Sequence, residues 1–358
     1  MIKWGIIGTG TMAATFVQAI QRNKNCSVQA VGSRTLANAS KFAERFGITH
    51  SMGSYEELVQ STDVEIVYIA STNNFHYKNA LEALNAGKHI LIEKPFALNH
   101  QESKEIVDLA ISKGLFCMEG MWMRFIPMIQ KAKELVKNGD IGTIQMMTAN
   151  FGMPIQYDAN NRQYDPKLGG GALLDLLVYP ISLAQMILGK PKTIQSLSTL
   201  TPSGVDAQTS CMFSYESGTI SNLQASFSTA LANEVYLYGE KGSIHITAPI
   251  YRPHESHIKY FSALSPSDLK SDDGGGISST IKNNKLLRGL LFKIGGLAKH
   301  VLQKKLIVPF EGSGYDHQVQ EVVNCLKNNK KESPTMSLND TLEIMQILDT
   351  IRQQQNIK

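Results

Sequence analysis

IKWGIIGTGTMA, residues 2 to 13, runs from a short apolar segment through two glycines into a helical pattern. A strand that ends in G-x-G-x-x-A and opens a helix is the first turn of a dinucleotide-binding βαβ unit. Gly8 permits the tight turn, Gly10 lets backbone approach a pyrophosphate, and Ala13 takes the close helix-packing position. The first-turn N–H groups of such a helix attract an anion, so Gly8, Thr9, Gly10, Thr11 and Met12 are candidate cofactor contacts.

The pattern continues outward from that turn. Apolar runs IKWGII, VQAVGS, EIVYIAS, HILIEK and LFCME alternate with helical stretches TMAATFVQAIQR, LANASKFAERFG, NFHYKNALEALNAG and NHQESKEIVDLAISKG. Continuous apolar strands separated by helices of this length require right-handed crossovers and a parallel sheet covered on both faces. Residues 1–120 therefore read as a doubly wound Rossmann domain of the α/β class. After Gly120 the texture changes. A helix over IPMIQKAKELVKNG precedes strand IQMMTANFG and the helix GGGALLDLLVYPISLAQMIL. KTIQSLSTLT, AQTSCMFSYES, GTISNLQASFST, NEVYLYGEK and GSIHITA then follow across short turns, and two helical patterns close the chain. Short connections make that sheet mainly antiparallel, so residues 121–358 read as a second, α+β domain.

The 358 residues are enough for two cores, and 42% hydrophobic with 18% charged content is that of an ordinary globular chain. No run approaches the roughly 18 uninterrupted apolar residues of a membrane span. The opening MIKWGIIGTG reads as a strand rather than a signal peptide, which implies a cytoplasmic protein. Four scattered cysteines argue against disulfides and thiolate zinc sites, and the absence of H-E-x-x-H or a Cys/His cluster implies no metal. Residues 281–305 hold six lysines, Arg288 and no acid; without those seven charges the formal net of +4 becomes −3, so nothing else points to nucleic acid. Leucines recur opposite these lysines, which suits a helical arm over the sheet or at a subunit interface better than a membrane-surface helix.

The end of the second strand bears on the dinucleotide. An NAD site places an acid there; this chain has Gly32, Ser33, Arg34 and Thr35, and a guanidinium with two hydroxyls suits a 2′-phosphate. NADP is favoured; if Arg34 is merely solvated, the site does not discriminate and NAD is possible. Ser71, Thr72, Asn73 and Asn74 sit at the carboxyl edge of the sheet and either cap the next helix or line the nicotinamide ribose. His76 reads as a structural helix residue. In LIEKP, Glu93 and Lys94 end the fifth strand beside the expected nicotinamide, and Pro95 marks a rigid, sometimes cis, turn. In GGGALLDLLVYP, residues 169–180, Asp175 and Tyr179 share one helix face and point together at the cleft.

GTGTMA, EKP, MWMRF and GGGALLDLLVY, in that order, resemble the Gfo/Idh/MocA (glucose-fructose oxidoreductase and inositol dehydrogenase) family over nearly the whole chain. Within it the chain is most similar to the dihydrodiol and NADP-dependent aldose dehydrogenase branch. The resemblance implies an oxidoreductase acting on a sugar, polyol or vicinal diol, with Lys94, Asp175 and Tyr179 as the catalytic set. It also implies an open-faced sheet that builds a homodimer or homotetramer. Tyr179 is then the acid/base, Lys94 lowers the phenol pKa and contacts substrate, and Asp175 orients substrate or lysine. Trp122, Arg124 and Arg162 are further candidates for substrate contact, with core packing or bracing open for the first two. The alternative is a non-catalytic NADP-binding regulator of the same fold. Ser71-Thr72 departs from the family's usual Thr-Pro, as does the long basic segment around 256–309.

Overall fold

The structure, a computed structural model, describes residues 1–261 and 303–357. The first sheet contains β1 (Ile2–Ile7), β2 (Cys26–Gly32), β3 (His50–Met52), β4 (Ile66–Ile69), β5 (His89–Glu93) and β6 (Cys117–Gly120), in the order β3-β2-β1-β4-β5-β6. Every pairing in it is parallel. β4 is buried at each of its residues, as a strand covered on both faces must be. The covering helices are α1 (Thr11–Arg22), α2 (Leu36–Phe46), α3 (Tyr55–Gln60), α4 (His76–Asn85) and α5 (His100–Ser112). α2 starts where the Thr35 hydroxyl accepts from the Asn38 N–H and stops at left-handed Gly47. The strand order reverses between β1 and β4, which opens a crevice at their carboxyl ends.

The second sheet holds β7 (Ile144–Gly152), β8 (Thr193–Leu200), β9 (Asp206–Ser214), β10 (Ile220–Ser226), β11 (Val235–Gly239), β12 (Gly242–Ile246), β13 (Glu255–Tyr260) and β14 (Gln303–Ile307). Their order is β14-β13-β12-β11-β7-β10-β9-β8, antiparallel throughout except for the parallel pair β7 and β10. α6 (Pro127–Lys137) leads into this sheet. One face is buried, with Met147, Ala149, Cys211, Phe213 and Leu223 alternating inward, while Met146, Met212, Leu197 and Ile220 stand exposed on the other.

α7 (Val178–Leu188) lies under the buried face and touches β7 and β10. The stretch Pro166–Leu188 is long and apolar enough to cross a membrane, but 78% of its apolar window is buried within the protein, as a core helix is. The last two helices, α8 (Tyr315–Lys327) and α9 (Leu338–Gln355), return to the first layer, α8 against α1 and α9 against α5. Arg22 of α1 clasps Asp316 of α8 through two bonds of 2.6 and 2.9 Å.

β3, α3, β13 and β14 are not among the elements expected from periodicity. The ends of the basic segment are corrected by this: 255–260 and 303–307 form an antiparallel strand pair, with Lys305 held 2.7 Å from Glu255. The expected helical arm falls on 262–302, outside the described residues.

Candidate active site

Gly8, at the end of β1, has φ +106°, and a Cβ there would stand 2.5 Å from the Ala70 carbonyl oxygen. Its lack of a side chain lets β1 close against β4 at the crevice. Next to it, nothing lies within 4 Å of where a Gly10 Cβ would be. Gly10 is the N-cap of α1 without a side-chain cap, and the first turn holds no acid. Thr9 is half-buried, whereas Gly10, Thr11 and Met12 are exposed. An open, uncapped helix N-terminus fits a pyrophosphate, so the residues present suit a dinucleotide.

At the end of β2, Arg34 is exposed and Ser33 buried. The Thr35 hydroxyl accepts from the Asn38 N–H to cap α2, which leaves its own proton available to donate. After β4, the Ser71 hydroxyl accepts from the Asn79 side-chain amide at 2.9 Å, and the Thr72 hydroxyl donates to the Asn74 amide oxygen at 2.7 Å. Thr72 caps the following turn through no side-chain bond. These side chains brace one another at the crevice edge. His76 is fully buried between the carbonyls of Pro95 (2.9 Å) and Ser71 (3.1 Å), and burial lowers its pKa to about 4. The neutral ring has one N–H, so it donates to one of these carbonyls and packs against the other, which is a structural role.

Lys94 follows β5, and the Lys94–Pro95 bond is cis. Its ammonium donates to the Asp175 carboxylate at 2.9 Å and to the Asp175 carbonyl at 2.7 Å, and it lies 5.0 Å from the Tyr179 ring centre. Burial opposes the lysine charge, but the attraction of Asp175 and Tyr179 outweighs it and the ammonium pKa is raised. Burial likewise works against the Asp175 carboxylate, yet Lys94 and the nearby Arg162 hold it below its usual value. Arg162 is exposed, on the short turn Arg162–Tyr164.

Asp175 and Tyr179 stand on a helix that is not uniform. Leu173–Leu177 is a π-helical turn before α7, so the two side chains reach Lys94 across a wider turn than the expected α-helical spacing. Asp206 of β9 accepts from the Leu173 N–H at 2.8 Å and anchors the start of this turn. The Tyr179 phenol is 6% exposed, and burial raises its pKa, with Lys94 opposing that rise only in part. This corrects the expectation that Lys94 carries the phenol below its ordinary value.

Glu93, expected as a cofactor contact, turns its carboxylate into the protein. It accepts from the Tyr68 hydroxyl and, at 3.4 Å, from the Tyr315 hydroxyl. It therefore anchors Lys94 from behind. Trp122, expected as a platform for substrate, is 6% exposed; its ring stacks on Tyr315 (4.8 Å, 19°) and its N–H donates to the Tyr179 oxygen at 3.1 Å. Arg124 is 0% exposed and spends its guanidinium on Ser182, Gln185, Thr335 and Asp340, which leaves nothing for substrate hydroxyls and makes it the brace. Phe151 and Tyr251 complete the wall around Tyr179, with ring centres 5.5 and 6.4 Å from it. Tyr68, Phe151, Tyr251 and Tyr315 were not singled out in the sequence, where each lies in a separate segment without local signal.

A model of the oxidoreductase family with an NAD-binding Rossmann fold matches residues 2–121, and one of the GFO/IDH/MocA C-terminal domain matches residues 129–245. The chain belongs to the GFO/IDH/MocA oxidoreductase family. Like that family it is an NAD(P)-dependent oxidoreductase. Among GFO/IDH/MocA relatives, trans-1,2-dihydrobenzene-1,2-diol dehydrogenase of Sus scrofa is 30% identical, over 98% of this chain and 96% of that one. The fold matches the aldose-aldose oxidoreductase of Caulobacter crescentus with a TM-score of 0.81 at 19% identity, covering 99% of this chain and 97% of the other. It matches a 3-ketoreductase of Actinomadura kijaniata, solved with NADP, with a TM-score of 0.78 at 21% identity, covering 99% and 98%.

Proposed function

We propose that this GFO/IDH/MocA member oxidises and re-forms a secondary alcohol of a vicinal diol, sugar or polyol with NADP, using Tyr179 as the acid/base. The observation that carries this is the meeting of Lys94, Asp175 and Tyr179 at the carboxyl edge of the parallel sheet, where ligands of open α/β sheets bind. NADP supplies the hydride acceptor when bound, and NADPH the donor. Tyr179 takes the hydroxyl proton at its phenol oxygen in oxidation and returns it to the carbonyl oxygen in reduction. Lys94 places a fixed positive charge beside the oxygen where negative charge develops. Asp175 holds that ammonium in line. Phe151, Tyr251 and Trp122 exclude water and offer apolar surface to the C–H face of a ring. The dehydrogenase acting on trans-1,2-dihydrobenzene-1,2-diol supports the diol class for this chain.

The test is the rate of NADPH formation with a panel of trans-dihydrodiols, aldoses and cyclic polyols. Turnover on one class identifies the substrate; silence across all of them with NADP bound returns the regulator reading. For the coenzyme, Arg34→Ala raises the KM for NADP about tenfold to a hundredfold, the range for losing charge-assisted bonds to a phosphate. The KM for NAD stays put, and an equal effect on both coenzymes would reject the role of Arg34. The exposed face of the second sheet presents Met146, Leu197, Met212 and Ile220, which supports a homodimer or homotetramer formed there. A monomer mass by light scattering would remove that reading. A cytoplasmic location is part of the same proposal, and fractionation of cells tests it.

A further inference from the structure

We propose that Trp122 is a positioning residue that fixes the direction of the Tyr179 hydroxyl proton, and that the start of α8 holds its indole in place to do so. The inference rests on Tyr179 being the acid/base group. An indole N–H donates and never accepts. With Trp122 Nε1 3.1 Å from the Tyr179 oxygen, the phenol must accept on that side and turn its own proton elsewhere. The other polar neighbour of the ring, the Lys94 ammonium, is also a donor without acceptor capacity. Among the described residues the Tyr179 hydroxyl has no acceptor for its proton. The indole N–H is the one hydrogen bond the hydroxyl makes among the described residues, and Lys94 lies over the ring with its charge turned to Asp175, so the proton is left for a substrate oxygen.

The indole is fixed by residues from the far end of the chain. One face stacks on Tyr315, the first residue of α8, whose hydroxyl is in turn bonded to Glu93. Tyr251 tilts against it at 5.8 Å. A Cβ on Gly314 would stand 2.8 Å from the indole Cζ3, so the glycine before Tyr315 makes room for the ring. Tyr315 therefore registers both halves of the site, Lys94 through Glu93 and Tyr179 through Trp122.

A donor aimed at the phenol oxygen also favours the phenolate, against the burial that disfavours it. The ionisable groups facing Tyr179 are Lys94 and Glu93 from the end of β5, Tyr68 from β4, Tyr315 from α8 and Asp175 from its own helix. All of these residues are retained when Trp122 is replaced, and Trp122→Phe keeps a ring against Tyr315, the one of them that stacks on it.

The experiment is an ultraviolet phenolate titration of the full chain, each protein differenced against its Tyr179→Phe counterpart so that one of 12 tyrosines is read. Trp122→Phe keeps a ring against Tyr315 and removes the N–H. It is expected to raise the apparent Tyr179 pKa by about one unit, the size of one hydrogen bond to a charged group. Trp122→His, whose Nε2 is as many bonds from the backbone as the indole nitrogen, is expected to bring the titration back toward wild type. Titration of Trp122→Phe at the wild-type pH, or of Trp122→His together with Trp122→Phe, overturns the proposal. This readout needs no substrate. Should Tyr179→Phe keep full turnover while the titration moves as expected, the acid/base assignment fails and the Trp122 link stands.

Discussion

Tyr179→Phe lowers kcat by about 10²- to 10⁴-fold and leaves dinucleotide binding intact, because the change removes one oxygen that moves the substrate proton. The dinucleotide-facing turn at Gly8 and Gly10 shares no contact with that oxygen. That oxygen accepts from the Trp122 N–H, and the Lys94 ammonium lies over the ring, 5.0 Å from its centre. Burial holds the resting phenol above its ordinary pKa, so at neutral pH it carries its proton. Reduction of a carbonyl uses that protonated form, and its rate falls as pH rises through the phenol pKa. Oxidation uses the deprotonated form, and its rate rises over the same range. The variant loses both dependences. Steady-state kinetics in each direction against pH, with NADPH binding read by fluorescence, checks this. A kcat within threefold of wild type would move proton transfer to Lys94 or to water.

The parallel sheet was legible because its longer strands are predominantly apolar and the glycine turn stands within ten residues of the start. β3 and α3, of three and six residues, are too short to carry a period. β13, which reads ESHIKY, puts charged or polar residues at alternate positions on an exposed sheet face and resembles a loop in composition. In the site, Lys94, Asp175 and Tyr179 stood out because polar groups in apolar surroundings are informative. The direction of the Tyr179 shift was not legible, since it depends on how completely Phe151, Tyr251 and Trp122 enclose the ring. Arg124 and Trp122 were singled out as unusual with substrate contact, core packing and bracing all open; burial makes Arg124 the brace, and Trp122 packs against Tyr315 and bonds Tyr179. Their partners, Asp340 and Tyr315, lie some 200 residues away along the chain. Sequence spacing carries no trace of such contacts.

Arg124→Met costs about 3–5 kcal/mol of stability, the range for removing one partner of a buried ionic network. The guanidinium is fully buried and donates to the Ser182 hydroxyl (2.8 Å) and carbonyl (2.8 Å), the Gln185 amide oxygen (2.6 Å) and the Asp340 carboxylate (2.9 Å). It thus joins the turn carrying Trp122 to α7, which carries Tyr179, and to α9. Asp340 is partly exposed and keeps its capping bonds to Ser337, so water tempers its loss. Glu119 has no such relief. It is 0% exposed, and neither carboxylate oxygen makes a well-formed hydrogen bond among the described residues, although the Thr341 hydroxyl and the Phe96 backbone lie near enough to favour its charge a little. Burial pushes its pKa up to about 7 even with the attraction of Arg124. A carboxyl raised in the folded state is fully compatible with folding below its unfolded pKa and loses that advantage as pH rises through the folded value. Without Arg124 the Glu119 pKa climbs further, so the destabilisation is larger above pH 7 than near pH 5. Denaturant unfolding of both proteins at the two pH values reads the difference, and Arg124→Met combined with Glu119→Gln recovers part of the loss only at the higher pH. An equal loss at both pH values would show that Glu119 does not depend on Arg124.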